Sequence, residues 1–226
     1  MTVAAKILTF LQQLEPTFPL PNSIAVMNPF RQPDTLRLCH LFYQKFYNDR
    51  HPRSLILGIN PGRFGGGITG IPFTDPVRLQ SGCGIDNDFP KRQELSSVFI
   101  YDMIAAFGGP ALFYSQYYIS SISPLGFTRD QKNLNYYDDK QLEDGIRAFV
   151  VSCLQQQLQF GLKTGTVYCL GEGKNFAYLS KLNRDYRFFD KVFALAHPRF
   201  IMQYKLKTKQ QYIEQYLCQL GQERRP

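Results

Sequence analysis

The sequence predicts a three-layer α/β/α sandwich with a central, mostly parallel sheet of about four strands. Two short apolar runs, SLILGIN (54–60) and GTVYCLG (165–171), are typical of strands buried on both faces of a parallel sheet. Helical patterns separate these runs, and parallel strands need such crossovers. We expect a single domain over residues 1–226, because the chain can bury one sizeable core and shows no repeat, linker or low-complexity tract.

The first half of the chain begins with two amphipathic helices. The apolar spacing predicts helices over 3–14 and 34–48, with Asp34 as the N-cap of the second. After the first strand, residues 61–94 hold many Gly and Pro residues, so we expect a loop there. Residues 95–109 read as a helix that ends at a Gly-Gly pair.

The second half continues the alternation of strands and helices. Residues 112–123 are rich in β-forming side chains and predict a strand, and 139–160 carries the longest helical pattern. A helix over 173–182 should come after the second buried strand. Residues 186–196 then predict a strand, and 204–220 a final helix.

Charge and cysteine usage restrict the classes of partner and cofactor. The net charge is +8, of which +6 falls within residues 181–226, and this favours an acidic partner such as nucleic acid, although a solvated basic surface would look the same. The five cysteines are scattered with no C-x-x-C pair, which argues against a zinc or iron–sulfur site and favours free thiols in a reducing cytoplasm. We therefore expect no metal and no cofactor. The N-terminus lacks a signal-peptide pattern, and no apolar run reaches the ~18 residues of a membrane span.

Polar residues lie just after the predicted strands, at the carboxyl edge where ligands bind in parallel α/β sheets. The first such loop, GINPGRFGGGITGIPF (58–73), lacks the second Gly of a dinucleotide fingerprint and the Lys of a P-loop. It does offer Asn60, whose amide can orient a water, and Phe73, whose ring can stack on a planar group. Asn60 could equally serve only to satisfy loop backbone groups.

Two further loops carry candidate residues. SSISPLGF (120–127) places short hydroxyls at a strand end, where they are ligands or plain turn formers. LAHPRF (195–200) places His197 just past an apolar run and facing the first loop, which favours a functional role. Lys174 in LGEGKNF (170–176) is a candidate phosphate contact.

These stretches resemble the single-strand-selective monofunctional uracil-DNA glycosylases, within the uracil-DNA glycosylase superfamily. Residues 58–73 align without a gap to the family pattern Gly-Met-Asn-Pro-Gly, Phe-Gly, Thr-Gly-Val-Pro-Phe, and SISPL is similar to its Asn-x-Cys-Pro-Leu. AHPRF is similar to a shortened form of its second motif, His-Pro-Ser-Pro-Arg-Asn. VRLQSGCGI and FPKRQELSS also resemble the family's segments after the first motif, so the likeness covers roughly 55–200.

The resemblance implies a role for each matching residue. Asn60 would hold the hydrolytic water, Phe73 would stack on a flipped-out base, and Gly62 would offer backbone contacts. His197 would hydrogen-bond the base and stabilise the departing anion. The residues after His197, Arg199 and Phe200, would enter the DNA beside the flipped nucleotide.

Two departures mark this chain as a divergent, bacterial-type member. The family's base-reading Asn aligns with Ser121, and one hydroxyl cannot pair with two edge atoms of uracil as a carboxamide does. Either Ser121 reads the base with help from water or backbone, or Asn133 or Asn135 substitutes for the missing amide, unless these two only form the turn before 139. The second motif is two residues shorter than the family's, so Arg199 or Phe200 would serve as the wedge.

The resemblance implies a monofunctional DNA glycosylase of base excision repair that flips uracil or a related damaged base and leaves an abasic site. Its partner would be single- or double-stranded DNA, with no membrane, and we expect a cytoplasmic, nucleoid-associated monomer. The alternative is a nucleic-acid-binding protein of the same fold with weak or no glycosylase activity. A cofactor-dependent α/β enzyme using the Gly-rich loop is a third interpretation.

Overall fold

The structure is a computed structural model that describes residues 1–221, so the last five residues of the predicted domain lie outside the described part. Seven strands and eleven α-helices occur within those residues. The strands are β1 (Ile24–Met27), β2 (Ser54–Gly58), β3 (Tyr117–Ser121), β4 (Gly126–Arg129), β5 (Lys132–Leu134), β6 (Thr166–Leu170) and β7 (Lys191–Leu195). The helices are α1 (Val3–Gln13), α2 (Pro33–Tyr47), α3 (Gly66–Thr69), α4 (Pro76–Ser81), α5 (Leu95–Phe107), α6 (Pro110–Gln116), α7 (Lys140–Gly145), α8 (Arg147–Leu158), α9 (Lys174–Tyr186), α10 (Pro198–Tyr204) and α11 (Lys209–Gly221).

The central sheet has four parallel strands in the order β3-β2-β6-β7, which confirms the predicted fold class. Every residue of β2 and β3 is buried, as the apolar run of β2 predicts and as expected for neighbouring parallel strands covered by helices. Side chains alternate between the two faces. Tyr117 faces α11 and donates its hydroxyl to the Leu220 carbonyl, whereas Tyr118 packs on the opposite face against Tyr47 and Phe160.

The chain leaves β2 toward β3 on one side of the sheet and later returns to build β6 and β7 on the other side. The loops after β2 and β6 therefore diverge at the carboxyl edge and leave a crevice between them. In open α/β sheets this switch point is where ligands bind.

A second, antiparallel sheet in the order β1-β4-β5 has no counterpart in the sequence prediction. β4 and β5 form a hairpin whose two turn residues, Asp130 and Gln131, both have positive φ (50° and 57°). Two positive φ values are typical of a type I′ hairpin turn. In sequences such a turn is usually indicated by Asn-Gly or Asp-Gly. Asp-Gln gives no such signal, so the sequence does not predict the hairpin.

Several expected elements differ in type or boundary. Residues 110–116 are helical, so only the second half of the expected 112–123 strand is correct; Pro110 stands at the first helical position, where its fixed φ suits a helix. Asp34 lies in the first turn of α2, whose N-cap is Gln32. The expected loop 61–94 contains α3 and α4, and the expected 139–160 helix is divided between α7 and α8.

The expected strand over 186–196 is confined to β7, and HPRF begins a helix instead of forming a loop. Within residues 1–221, no single helix is long and apolar enough to span a membrane; α5 and α6 meet the test of length and composition only as a pair bent by 92°.

Candidate active site

A cleft of about 680 Å³ opens at the switch point of the sheet. Its wall includes Ile59 after β2, Gly171 after β6 and His197 after β7, so three strand ends contribute to it. The remaining lining residues are Asn135, Tyr137, Asp138, Glu172, Gly173, Lys174, Asn175, Arg199, Phe200, Gln203 and Tyr204. The predicted residues Asn135, Lys174, His197, Arg199 and Phe200 therefore share one cavity.

His197 is the N-cap of α10, and the hydrogen bond that it makes there determines which ring nitrogen carries the proton. Its Nδ1 accepts a hydrogen bond of 3.1 Å from the backbone N–H of Arg199, so the neutral ring carries its proton on Nε2. Burial of the ring lowers the pKa of His197 to about 4, and the nearby charge of Arg199 adds to the effect. At neutral pH the imidazole is therefore an uncharged donor.

Phe73 and Ser121 flank the end of β2. The Phe73 ring lies so close to Gly58 that a Cβ there would stand 2.6 Å from it, and its centroid is 6.0 Å from that of the His197 ring. Ser121 pairs with Gly58 in register and points its Oγ to within 3.5 Å of the same Cβ position. The structure thus brings the predicted stacking ring and the predicted edge reader against one glycine, with the His197 ring next to the Phe73 ring.

Ser121 is buried, and its hydroxyl makes no hydrogen bond with any group in the described part of the chain. Gly62 is half-buried and behaves similarly: its carbonyl accepts from Gly65 and Gly67, but its N–H has no acceptor among residues 1–221. Neither group is occupied by a protein partner within residues 1–221, so each is available to bond a ligand.

The backbone at Phe73 is strained and is held by a hydrogen-bond network. Its φ is 54°, in the left-handed region that costs a non-glycine residue about 1–3 kcal/mol. Thr69 Oγ1 donates to the Thr74 carbonyl at 2.6 Å, and Thr74 Oγ1 lies 3.0 Å from the Tyr101 hydroxyl. Asp75 then caps α4. These bonds fix both sides of Phe73, so the ring is presented in one orientation.

The side-chain amide of Asn60 forms hydrogen bonds with backbone groups that lie 74 and 76 residues further along the chain. Nδ2 donates to the Leu134 carbonyl and Oδ1 accepts from the Tyr136 N–H, both at 3.1 Å. This pairing anchors the end of β5 over the sheet edge. One lone pair of Oδ1 remains for a water, so the predicted role of Asn60 stays a prediction.

Asn133 and Asn135 both make hydrogen bonds within the protein, the first with the first loop and the second within its own turn. Asn133 Oδ1 accepts from the Arg63 N–H at 3.1 Å, and Asn135 caps the 3-10 turn Tyr136–Asp138, with its Nδ2 donating to Asp138 at 2.8 Å. The turn-forming alternative left open by the sequence matches Asn135 but not Asn133, which lies in β5 and bonds the first loop. The role of Asn135 as a substitute base reader remains a prediction.

The three predicted DNA contacts are exposed around the cleft. Lys174 begins α9 and holds its Nζ 5.7 Å from the Tyr137 ring centroid. Arg199 and Phe200 lie in the first turn of α10, and Phe200 stacks at a tilt beside the exposed Tyr204.

Sequence reasoning missed two residues of this region. Gly58 allows the Phe73 ring to approach the sheet. A glycine at the end of a strand is common, so the sequence alone does not predict this contact. Glu94 lies against the first loop, where a Cβ at Gly65 would overlap its carboxylate. Burial raises the pKa of Glu94 to about 7; Asp75 adds to this and Arg199 opposes it. Within residues 1–221, no group of three or more His, Cys, Asp or Glu side chains could hold a metal ion.

The comparisons with known proteins agree with this geometry. The model of the uracil DNA glycosylase superfamily matches residues 44–221. The chain is also similar to wild-type SMUG2 of Pedobacter heparinus, whose crystal structure it matches with a TM-score of 0.98 and 48% identity over 100% of both chains. No curated protein matches the chain. The predicted family and enzyme class are confirmed, and the chain belongs to the uracil DNA glycosylase superfamily.

Proposed function

We propose that this chain cleaves the bond between deoxyribose C1′ and a flipped-out uracil, with His197 as the main source of transition-state stabilisation. The family makes the chain a uracil-DNA glycosylase, a hydrolase that acts on DNA in base excision repair. The residues that carry the reaction are inferred from the geometry. The observation that supports them best is the neutral His197, whose Nδ1 is occupied by the Arg199 N–H.

In the proposed reaction the C1′–N1 bond breaks, and the base leaves with the bonding electrons as an anion. The Nε2–H of His197 donates to the uracil O2, where negative charge accumulates. A donor aimed at a developing anion contributes about 3–4 kcal/mol in the oxyanion holes of acyl transfer. A neutral donor also avoids charging a buried imidazole, which the lowered pKa of His197 disfavours.

A water completes the reaction by adding to C1′ and losing a proton, which leaves an abasic sugar and the free base. The Asn60 Oδ1 would hold this water with its remaining lone pair. A carboxamide is a weak base, but the sugar is strongly electrophilic once the base departs, so weak activation suffices. Proton transfer to the departed base balances the step.

Recognition of the base would combine a stacking face and an edge. Phe73 would stack on the ring, and the unpaired Ser121 hydroxyl and Gly62 N–H would bond its edge atoms. Flipping costs a few kcal/mol, and less for a mismatched or single-stranded nucleotide, so such substrates should react fastest. The DNA backbone would be contacted by Lys174 and Arg199. The space that the flipped nucleotide leaves in the DNA would be filled by Arg199 or Phe200.

A gel assay tests the proposal with oligonucleotides that carry uracil, hypoxanthine, xanthine or hydroxymethyluracil, single-stranded or opposite guanine. We expect an alkali-labile abasic site at uracil without added metal. His197→Ala should lower kcat by about 10²–10³-fold while DNA affinity is kept. Release of no base by the wild-type protein, or full activity in His197→Ala, would overturn it.

A second candidate function is nucleic-acid binding with weak or no glycosylase activity. Two observations favour it: Ser121 offers one hydroxyl where a carboxamide would read two atoms, and Asn60 is already bonded to Leu134 and Tyr136. Salt-dependent binding with no abasic product would select this function.

We also propose that the protein acts as a monomer associated with the nucleoid. The cleft is formed within one chain, and the basic charge favours DNA contact. Light scattering at working concentration would test the oligomeric state, and fluorescence microscopy of a tagged chain would test the association with DNA.

A further inference from the structure

A second concavity of about 460 Å³ lies beside the cleft, and Arg199 lines both. We call it the basic groove. Its walls come from the first loop, from the segment that leads into α5, from β5 and from α10. Its lining residues are Arg63, Phe64, Arg92, Gln93, Glu94, Leu95, Ser96, Lys132, Asn133 and Arg199.

The four cations of the basic groove lack acidic partners. Arg63, Arg92, Lys132 and Arg199 form no ion pair with any carboxylate in the described part of the chain, whereas Arg129, for example, pairs with Asp139 at 2.5 Å. The Nε of Arg63 is buried and has no hydrogen-bond acceptor among these residues. An unsatisfied buried donor is costly, so an anion that reaches it would be stabilised.

Phe64 holds two of these cations close together. The guanidinium carbon of Arg92 lies 3.6 Å from the Phe64 ring centroid, and that of Arg63 lies 4.9 Å from it. The ring fixes both guanidinium groups, but their like charges repel each other. A phosphate between or beside them would relieve this repulsion and accept hydrogen bonds from both.

Glu94 is the acidic residue of the groove, and it opposes phosphate binding only when ionised. Burial, together with the charge of Asp75, raises the pKa of Glu94 to about 7, while Arg199 pulls it down. Near neutral pH a large share of the molecules therefore carries an uncharged carboxyl here. Such a group can donate a hydrogen bond to a phosphate oxygen.

We propose that the basic groove binds the phosphodiester of a nucleotide that flanks the target nucleotide on the same DNA strand. The inference rests on the proposed function, because it assumes that the strand enters the neighbouring cleft. Arg63 and Arg92 bind the phosphate, Phe64 positions them, and Lys132 and Arg199 line the path of the strand.

Binding to an undamaged single-stranded oligonucleotide, followed by fluorescence anisotropy over a series of salt concentrations, tests the groove without any chemistry. Arg92→Ala should raise Kd about fivefold and reduce the slope of log K against log salt by about 0.7, the share of one phosphate contact. Arg50→Ala is the matched control: Arg50 is exposed and precedes β2, at the opposite edge of the sheet. It should change neither quantity.

A second experiment locates the contact. A neutral methylphosphonate replaces one phosphodiester at a time on each side of uracil, and single-turnover cleavage gives the apparent affinity. At one flanking position, the methylphosphonate should lower the affinity of the wild-type protein by about the same factor as Arg92→Ala lowers the affinity for the unmodified strand. At that position the variant should lose nothing further.

The two proposals can fail separately. An unchanged Kd and salt slope in a folded Arg92→Ala protein overturns the groove, even if glycosylase activity is intact. Equal losses in Arg92→Ala and Arg50→Ala, or additive losses at every methylphosphonate position, overturn it as well. Absence of an abasic product with a persistent Arg92 effect overturns the proposed chemistry and leaves the groove standing. Arg92 is exposed, so its removal should not lower Tm.

Discussion

The two ends of β2 use polar groups in opposite ways. At the amino end, Arg53 is fully buried, and its guanidinium donates five hydrogen bonds, to the carbonyls of Tyr114, His51 and Phe46 and to both oxygens of Asp49. At the carboxyl end, a few residues away, Ser121 Oγ and the Gly62 N–H have no partner within residues 1–221. The satisfied end stabilises the fold, whereas the unsatisfied end is the one that we propose binds the substrate.

The largest expected effect comes from breaking the satisfied end. Arg53→Met removes the donor for three carbonyls and the two guanidinium hydrogen bonds of the Asp49 carboxylate, which within residues 1–221 keeps only its contacts with His51. We expect the free energy of unfolding to fall by about 3 kcal/mol or more, because each buried carbonyl that loses its donor costs about 1–3 kcal/mol. Urea denaturation measures this loss.

The comparison requires that this loss leave the chemistry intact. At low temperature, kcat per folded molecule of Arg53→Met should equal that of the wild-type protein. A large fall in kcat together with an unchanged Cm would contradict the division between the two ends.

Gly58→Ala should damage the unsatisfied end. The new Cβ would stand 2.6 Å from the Phe73 ring, so the ring must move away from its stacking position. Overpacking of this kind costs about 1–3 kcal/mol, and we expect KM for uracil-containing DNA to rise together with the fall in Tm. Steady-state kinetics and thermal melting measure both effects.

A compensating variant shows whether the ring is responsible. Gly58→Ala combined with Phe73→Leu should regain most of the lost Tm, since the smaller side chain leaves room for the methyl group. It should not regain the KM, because the stacking face is gone. Recovery of both would show that Phe73 does not contact the base.

Ser121→Ala should separate activity from stability. The hydroxyl has no protein partner to lose within residues 1–221, so the free energy of unfolding should change by less than about 0.5 kcal/mol. Loss of one hydrogen bond to the base should lower kcat/KM on uracil by up to about tenfold. Ser123→Ala is a matched control, because its Oγ bonds the Leu125 carbonyl and its loss should lower Tm. An unchanged kcat/KM in Ser121→Ala would remove it from the site.

The smallest effect concerns pH. Burial lowers the pKa of His197 to about 4, so the neutral donor persists as pH falls from 8 to about 5, where a histidine of ordinary pKa would already be charged. Single-turnover rates at saturating enzyme should therefore stay nearly level over this range and decline only toward pH 4.

Glu94 also titrates near the site, so the same profile should be recorded for Glu94→Gln. An acid limb near pH 6.5 in both proteins would show that the pKa of His197 is not held low.

The parts of the fold that were predicted correctly depend on strong local signals. β2 and β6 are short apolar runs between turn residues, and their burial on both faces is a direct consequence of composition. Residues 110–116 mislead because Phe113 and Tyr114 favour strands, although tertiary packing makes both helical. The hairpin of β4 and β5 is short and polar, with an uncommon turn pair, and gives no local signal.

Candidate site residues could be proposed from the sequence, but the contacts that they make in the structure could not. The family resemblance picks out Asn60, Ser121 and His197 at or just after strand ends and Phe73 further along the first loop, and parallel topology brings those strand ends together. The pairing of Asn60 with Leu134 and Tyr136 joins positions more than 70 residues apart. The basic groove likewise assembles four separate segments, so neither feature has a local pattern.

The amide of Asn60 limits how this chain could evolve a faster water-activating group. An aspartate at this position would be the stronger base and could still accept from the Tyr136 N–H. It would, however, place a second carboxylate oxygen against the Leu134 carbonyl, where Nδ2 now donates at 3.1 Å. Repulsion between those oxygens would release the end of β5 from the sheet edge. The single substitution Asn60→Asp is therefore expected to be unfavourable unless the segment around Leu134 changes first.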